Sequence, residues 1–287
     1  MEWLTEWLTA YKLPVGKAAK QCIDFLTEHA EAFFDGIALV LGGVINGLLW
    51  LLQTPPPLLL VALIAALAHF IHRKPSLTAF VAGGLLLIIN QGYWGQTTGT
   101  LALVLASAFL CMAFGVPLGI AAAHRPWLYS AMRPVLDLMQ TIPTFVYLIP
   151  ALVLFGLGEV PGLIATVIFA VAAPIRLTHL GVSSTPKTLL EAGEAFGCSR
   201  LQLLFKVELP FALPQIMAGF TQTIMLSLSM VVIAAMVGAP GLGVPILRAI
   251  NSVNIAKGFE AGFAIVIIAI ILDRVFRLKN ADSGAAR

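Results

Sequence analysis

Residues 185–210 read TPKTLLEAGEAFGCSRLQLLFKVELP and lie between two long apolar runs of the chain. They carry six charged side chains, whereas the 37 residues that follow, 211–247, carry none. A segment with this many charges cannot lie in hydrocarbon, so we expect it to be a loop outside a lipid bilayer. The stretch therefore predicts a chain of membrane-embedded helices that carries a compact polar segment on one side.

The same residues have the pattern of two short helices joined by a turn, which we call the polar hairpin. Thr185 suits an N-cap with Pro186 at the first helical position, and Gly197 suits the left-handed turn that ends the first helix. Ser199 followed by Gln202 fits a capping box for a second helix, which the final proline of the stretch would close. From this pattern alone, the polar hairpin either rests on its own membrane domain or docks on a partner.

Seven residues of the polar hairpin carry a resemblance to a known family. Their spacing is similar to the EAA loop of ABC importer permeases, in which Glu-Ala-Ala is followed by a glycine and then by Ile-x-Leu-Pro. Here Gly193 replaces the second alanine and Val207 replaces the isoleucine. In that family the loop is a coupling helix seated in a groove of a separate cytoplasmic ATPase. The resemblance implies a coupling set of Glu191, Ala192, Gly193, Gly197, Val207, Leu209 and Pro210.

Composition places the whole chain in the membrane. Of its 287 residues, 59% are hydrophobic and 11% are charged, with a mean hydropathy of +0.95, whereas about 25% of residues are charged in a soluble domain. This excludes a soluble globular enzyme and predicts an all-α integral membrane protein with several spans. The net charge of +3 is no nucleic-acid signal, because the basic residues lie in short loops. Cys22, Cys111 and Cys198 are too far apart to suggest a disulfide framework or a metal site.

Apolar runs divide the chain into three parts. Residues 1–54 are an N-terminal amphipathic segment, whose aromatic start suits a membrane interface. Within it, residues 36–54 are uncharged and nearly long enough to span, but their glycines and Asn46 favour an interfacial helix. Residues 55–278 form the transmembrane domain, and 279–287 form a short polar tail. About seven spans are predicted in the transmembrane domain, at residues 57–71, 77–93, 98–123, 131–155, 162–180, 211–237 and 258–276.

Loop charge predicts the orientation of these spans. One set of loops carries twelve Lys and Arg residues, whereas the alternate loops carry Arg248 and Lys257. Because loops rich in Lys and Arg remain in the cytoplasm, we expect the polar hairpin and the C-terminal tail there. The N-terminal segment is then expected on the periplasmic side. This assignment uses charge alone and not the resemblance.

The sequence contains no recognisable catalytic or metal-binding constellation. The richest glycine cluster, residues 238–243, lacks the Lys and Ser or Thr of a phosphate-binding loop. We therefore expect that this chain is not an enzyme and binds no metal and no cofactor directly. ATP would be used by a partner subunit.

Polar residues inside the predicted spans are candidates for function, because a polar group in hydrocarbon needs a partner or a water-filled path. They fit hydrogen bonding between helices equally well. Pro143 is also expected to loosen and bend its helix. The candidates for path lining or helix packing are Gln140, Thr141, Pro143, Thr221, Gln222, Ser227 and Ser229.

Three longer stretches extend the resemblance over most of residues 98–278. They are LDLMQTIPTFVYLIPALVLFGLGEVPG at 136–162, APIRLTHLG at 173–181 and MLSLSMVVIAAMVGAPGLG at 225–243. With the polar hairpin, they are similar to the permease subunit of quaternary-amine importers. This implies the type I ABC importer permease fold in a bacterial inner membrane. It also implies a homodimer of this chain, two cytoplasmic ATP-binding subunits and a periplasmic substrate-binding protein.

The resemblance implies choline or glycine betaine as the first choice of solute, in an osmoprotective or a nutritional role. The length of the chain is closer to the choline-type members than to permeases with longer tails. Histidine, carnitine and proline betaine stay open as alternatives within the same importer class. The alternative from another class is a stand-alone secondary transporter. Such transporters carry buried ionisable groups for ion coupling, and the lack of them at the predicted span centres counts against it.

Overall fold

The computed structural model describes residues 14–277, which are helical except at short turns. The predicted aromatic start of the N-terminal segment and the tail at 279–287 lie outside these residues. The first helices are α1 (Val15–Gln53), α2 (Pro57–His72), α3 (Pro75–Asn90), α4 (Trp94–His124), α5 (Pro126–Thr141), α6 (Thr144–Phe155), α7 (Glu159–Ala170) and α8 (Ala172–Ser183). They are followed by α9 (Lys187–Ala195), α10 (Arg200–Leu203), a π-helical turn (Leu204–Glu208), α11 (Leu209–Ala235), α12 (Gly243–Asn251) and α13 (Ile255–Phe276).

Several of these helices are long and apolar enough to cross a membrane. Length and hydropathy allow this for α1 from Gly16, for α4, for α7 and α8 taken together, for Arg200–Ala235 and for α13. The bent pair of α5 and α6 makes a sixth candidate among the described residues. The apolar helices α2 and α3 are shorter, with 16 residues each. The predicted all-α membrane fold is confirmed, and its seven predicted spans are roughly matched.

The span predicted at 131–155 is broken into two helices at Pro143, where the expected bend is confirmed. α5 ends at Thr141, α6 begins at Thr144, and the two are bent by 95°. The residue before a proline is pushed out of the helical region by the proline ring, and Ile142, before Pro143, is extended at ψ 133°. Pro134 and Pro150 are accommodated within α5 and α6, so the break belongs to Pro143 in particular.

Helix α1 contains residues 36–54, for which an interfacial helix is predicted. It consists of two helical segments joined by a kink at Ala30, where φ is −126° and ψ is 19°, and it ends at Gln53. Ile45 is fully buried in an apolar cluster with residues of α4 and α7. The Asn46 amide, which favours the interface in the sequence, donates a hydrogen bond of 3.1 Å to Glu159. The exposed Asn46 amide is therefore paired with a residue of α7, and the helix has the length and hydropathy of a span.

Helix α8 lies at the centre of the bundle, where glycines let its neighbours approach closely. A Cβ added to Gly115 of α4 would lie 2.7 Å from Cγ of Pro174, and one added to Gly119 would lie 2.8 Å from the carbonyl oxygen of Ile175. On the opposite side, a Cβ on Gly219 of α11 would lie 3.1 Å from Cα of Pro174. Small residues of this kind allow the close backbone contacts that hold helices together in lipid. α4, α8 and α11 thus form a tight three-helix core.

Candidate functional site

The first arm of the polar hairpin is α9, which begins one residue later than predicted. Pro186 is the residue that precedes the helix, with an extended ψ of 134° and no side-chain cap. The predicted N-cap, Thr185, is instead buried, and its hydroxyl has no hydrogen-bond partner among residues 14–277. The prediction for Thr185 and Pro186 is therefore wrong by one position, because the proline keeps an extended conformation instead of entering the helix.

The turn of the polar hairpin has the predicted geometry. Gly197 is left-handed, with φ +78°. The amide of Cys198 donates to the carbonyl of Gly193 at 3.1 Å, and the amide of Gly197 donates to that of Glu194 at 2.8 Å. This pair of bonds is the Schellman motif, which satisfies the last carbonyls of a helix. The predicted helix end at Gly197 is confirmed.

The second arm of the polar hairpin starts as predicted. The amide of Ser199 donates to Oε1 of Gln202 at 2.8 Å, and the amide of Gln202 donates to the Ser199 hydroxyl at 3.4 Å. This is the reciprocal bonding of a capping box. Both ends of the link between the arms are therefore fixed by local hydrogen bonds.

The second arm does not end at Pro210, contrary to the prediction. It runs through the π-helical turn into α11, so that Arg200–Ala235 is one continuous helical rod. Pro210 lies in the first turn of α11, and the wider turn before it is closed by the amide of Leu209 bonding to the carbonyl of Leu204. A proline disrupts a helix by clashing with the preceding turn, and a wider turn relieves that clash. The polar hairpin is thus rigidly joined to a membrane helix.

The two arms of the polar hairpin pack against each other at Gly193. This glycine is buried, and a Cβ placed on it would lie 2.6 Å from Cδ1 of Leu203 and 3.6 Å from Cγ2 of Val207. Leu209 is half-buried and packs against an apolar cluster formed by the ends of α4, α8 and α11. Three residues of the predicted coupling set therefore have a structural role. Gly193 and Val207 pack the two arms together, and Leu209 attaches the hairpin to the bundle.

The outer face of the polar hairpin is apolar and uncovered. Phe196 is 91% exposed, Leu201 is 69% exposed and Phe205 is 65% exposed. Glu191 and Ala192, also from the predicted set, are exposed on the first arm. Large exposed apolar side chains beside charged ones are typical of an interaction site. Phe196 in the first arm, and Leu201 and Phe205 in the second, lie at helical spacing in the sequence and add to the seven residues of the predicted coupling set.

The polar candidates on α11 divide into two groups. Ser227 is fully buried, and its hydroxyl accepts a hydrogen bond of 2.8 Å from Ser107 of α4, so it packs helices. The Thr221 hydroxyl bonds to the carbonyl of Met217 in its own helix at 2.7 Å. Gln222 and Ser229 are exposed, seven residues apart on one side of α11.

Gln215 extends this exposed polar side by another seven residues. Two turns of an α-helix return a side chain to nearly the same direction, so these three residues form one polar stripe. Gln215 is a polar residue of the same predicted span, and its seven-residue spacing to Gln222 and Ser229 is the signal in the sequence for this stripe.

The remaining candidates lie at the break between α5 and α6. The Thr141 hydroxyl bonds to the carbonyl of Leu138 at 3.3 Å. The Tyr147 hydroxyl reaches back across the break and donates to the carbonyl of Met139 at 2.6 Å. Gln140 is half-buried beside these groups. Pro143 has no N–H to donate to the carbonyl of Met139, and the Tyr147 hydroxyl satisfies that carbonyl instead.

These features define a class: a polytopic helical permease with a closed polar hairpin continuous with one of its membrane helices. The chain belongs to the family of binding-protein-dependent transport system inner membrane components, whose model matches residues 115–280. It is therefore a multi-pass inner-membrane permease component of an ABC transporter, and not a catalytic enzyme.

Relatives of known role are similar over nearly the whole chain. The glycine betaine transport system permease protein OpuAB of Bacillus subtilis is 47% identical over 96% of this chain and 98% of its own length. The glycine betaine/carnitine transport permease protein GbuB of Listeria monocytogenes is 44% identical over 93% and 96%. The permease protein ProW of Escherichia coli, of the glycine betaine/proline betaine system, is 42% identical over 94% and 76%. The predicted resemblance to quaternary-amine permeases is confirmed.

A solved structure supports the fold. A chain of the MetNI methionine ABC transporter, in an inward-facing conformation, matches with a TM-score of 0.56 and 25% identity. The match covers 62% of this chain and 92% of that chain. The predicted importer permease fold is confirmed.

Proposed function

We propose that this chain is the permease subunit of an ATP-driven importer and moves glycine betaine, or a closely related quaternary amine, across the inner membrane. The observation that carries the coupling part of the proposal is the polar hairpin: it is closed, exposes an apolar face and continues directly into α11. A rigid connection of this kind can pass a displacement at the hairpin to a membrane helix.

The names of the relatives support the solute. Three relatives at 42% to 47% identity are named for glycine betaine, whereas a choline transport system permease protein, OpuBD of Bacillus subtilis, is 36% identical over 49% of this chain. Glycine betaine is therefore our first choice, with choline, carnitine and proline betaine behind it. The length of the chain does not favour choline over glycine betaine, since the relative matched over 98% of its own length is a glycine betaine permease.

The partners follow from the family and from the two uncovered surfaces. We expect two copies of a cytoplasmic ATP-binding subunit, which would bind and hydrolyse ATP and hold the apolar face of the hairpin. A periplasmic substrate-binding protein would deliver the solute. The polar stripe on α11 supports a homodimer, because polar side chains need a polar surface or a water-filled path and not lipid. The seven residues of the coupling set would act at the ATPase contact, and the stripe would line the path.

The orientation is part of the same proposal. The hairpin and the C-terminal tail lie in the cytoplasm, as the distribution of Lys and Arg supports. Recognition of the quaternary ammonium group would lie mainly in the binding protein, where aromatic rings can surround a cation.

The test is uptake into proteoliposomes that contain the purified complex with its ATPase and binding protein. Radiolabelled glycine betaine, choline, carnitine, proline betaine and histidine are compared in parallel. We expect glycine betaine to enter, and its uptake to stop when ATP or the binding protein is left out. Uptake of histidine alone would contradict the proposed quaternary-amine solute. Uptake that persists without the ATPase would contradict the proposed coupling to ATP hydrolysis.

A further inference from the structure

A buried carboxylate lies at the junction between the polar hairpin and α11. Glu208 is the last residue of the π-helical turn and is 7% exposed. Its two carboxylate oxygens lie 3.0 Å and 3.3 Å from Nε2 of His124, the last residue of α4. The pair joins two segments that are 84 residues apart in the chain.

The imidazole of His124 is fixed at both of its nitrogens. Nδ1 lies 2.9 Å from the carbonyl oxygen of Ile120, one turn earlier in α4. A carbonyl oxygen can only accept, so Nδ1 is the donor of that bond, and the contact between Nε2 and the carboxyl group of Glu208 shares one proton between the two side chains. The ring is therefore held by one bond within α4 and by a second bond to the hairpin junction.

The pair lies where the core helices of the bundle meet. An apolar cluster next to it joins Ile120 and Ala123 of α4, Val182 of α8 and Ala212 of α11. Leu209, which directly follows Glu208, packs against the same cluster. α4 is also held against α8 by the close approach of Gly119 to Thr178. A displacement that reaches α4 at His124 therefore reaches the core.

We propose that His124 and Glu208 are a positioning pair that carries the displacement of the polar hairpin into α4, in addition to its direct path into α11. The inference rests on the proposed function, in which the hairpin is the ATPase coupling loop. A buried carboxyl group that is hydrogen-bonded resists separation from its partner, because separation leaves it unsatisfied away from water. The hairpin and the end of α4 therefore move together, and neither residue needs to touch the solute or ATP.

The experiment measures ATP hydrolysed per glycine betaine imported, in proteoliposomes that hold the permease, ATPase and binding protein. We expect His124→Ala to raise this ratio by roughly tenfold while the complex still assembles. His124→Arg, which keeps a nitrogen donor within reach of Glu208, is expected to restore most of the coupling. The double variant His124→Ala with Glu208→Ala leaves no buried charge unpaired, so it is expected to be stable and still uncoupled. A stable but uncoupled double variant would show that the pair transmits the displacement of the hairpin and does not only stabilise the fold.

A matched control uses another ion pair of the described residues. Arg176 and Asp137 join α8 to α5 at 2.7 Å, away from the hairpin, and Asp137→Asn is expected to leave the ratio unchanged. If His124→Ala does not insert, Glu208→Gln carries the test, since it removes the charge and keeps the shape. A wild-type ratio in His124→Ala or in Glu208→Gln, or no rescue by His124→Arg, would overturn the link. Wild-type uptake that needs no ATPase would instead overturn the proposed function.

Discussion

Gly193 and Leu203 hold the two arms of the polar hairpin together, at a distance that leaves no room for a side chain of ordinary size. A Cβ on Gly193 would lie 2.6 Å from Cδ1 of Leu203. With the Schellman turn at Gly197 and the capping box at Ser199, this contact makes the hairpin a preformed unit. A preformed surface loses less conformational entropy on docking than a flexible loop does. This is the structural basis for a hairpin that couples two subunits.

The packing at Gly193 predicts a graded response to side-chain size. Gly193→Ala is expected to be tolerated, because the atom it meets is the mobile end of the Leu203 side chain, and the related motif has alanine there. Gly193→Leu is expected to separate the arms and abolish uptake. The measurement is uptake together with retention of the ATPase on the purified permease. Full uptake by Gly193→Leu would show that the arms need not be closed.

The left-handed turn predicts a different response at Gly197, where no atom in the described part of the chain lies within 4 Å of an added Cβ. Space is available, so the cost comes from the backbone: φ +78° costs a β-branched residue roughly 1–2 kcal/mol or more. Gly197→Val is expected to insert normally but to lose uptake, whereas Gly197→Asn keeps much of it because asparagine tolerates this conformation. Immunoblots of membranes and uptake assays test both variants. Equal uptake by the two would contradict the role of the turn.

A larger side chain at the glycine contact between α4 and α8 is expected to lower the stability of the protein, and not only its coupling. A Cβ on Gly119 would lie 2.6 Å from Cβ of Thr178 and 2.8 Å from a backbone carbonyl. Overpacking of this kind costs about 1–3 kcal/mol, so Gly119→Ala is expected to lower the melting temperature in detergent. Gly43→Ala is the matched control, because nothing lies within 4 Å of its added Cβ. Equal melting temperatures for the two variants would argue against a tight core.

The division of polar residues on α11 predicts separable phenotypes. Gln222→Ala is expected to change uptake with little effect on melting temperature, since the side chain is exposed on the polar stripe. Ser227→Leu is expected to lower the melting temperature, because it replaces a buried hydroxyl that is bonded to Ser107. Uptake kinetics and thermal unfolding are measured for both proteins. A Gln222→Ala protein with unchanged uptake and lowered stability would reverse the assignment.

Patterns of neighbouring residues predicted the turn and the cap of the hairpin well. Features that depend on packing were not predicted. The turn at Gly197 and the capping box at Ser199 depend on neighbouring residues, so their pattern is sufficient. The continuation through Pro210 depends on a π-helical turn, which the composition of the segment does not reveal. Hydropathy likewise averages over residues 131–155 and cannot register that the chain turns by 95° at Pro143.

The polar residues of the spans illustrate the same limit. Ser227 and Ser229 are the same residue type, two positions apart. From the sequence, path lining and hydrogen bonding between helices are equally good interpretations for both. In the structure one is buried against α4 and the other is exposed, because only the packing of α11 decides which side is inward. The seven-residue spacing from Gln215 to Ser229 was the available signal for the exposed side.

Docking of the polar hairpin on an ATPase is the central claim, and crosslinking tests it most directly. A photoreactive phenylalanine analogue replaces Phe196, 91% exposed on the hairpin, and in a control replaces Phe259, 75% exposed at the opposite end of the bundle. The assembled complex is irradiated in the membrane, and the adducts are identified by mass spectrometry. We predict an adduct between position 196 and the ATP-binding subunit and none from position 259. An adduct from position 196 only to lipid or to the permease itself would contradict the account.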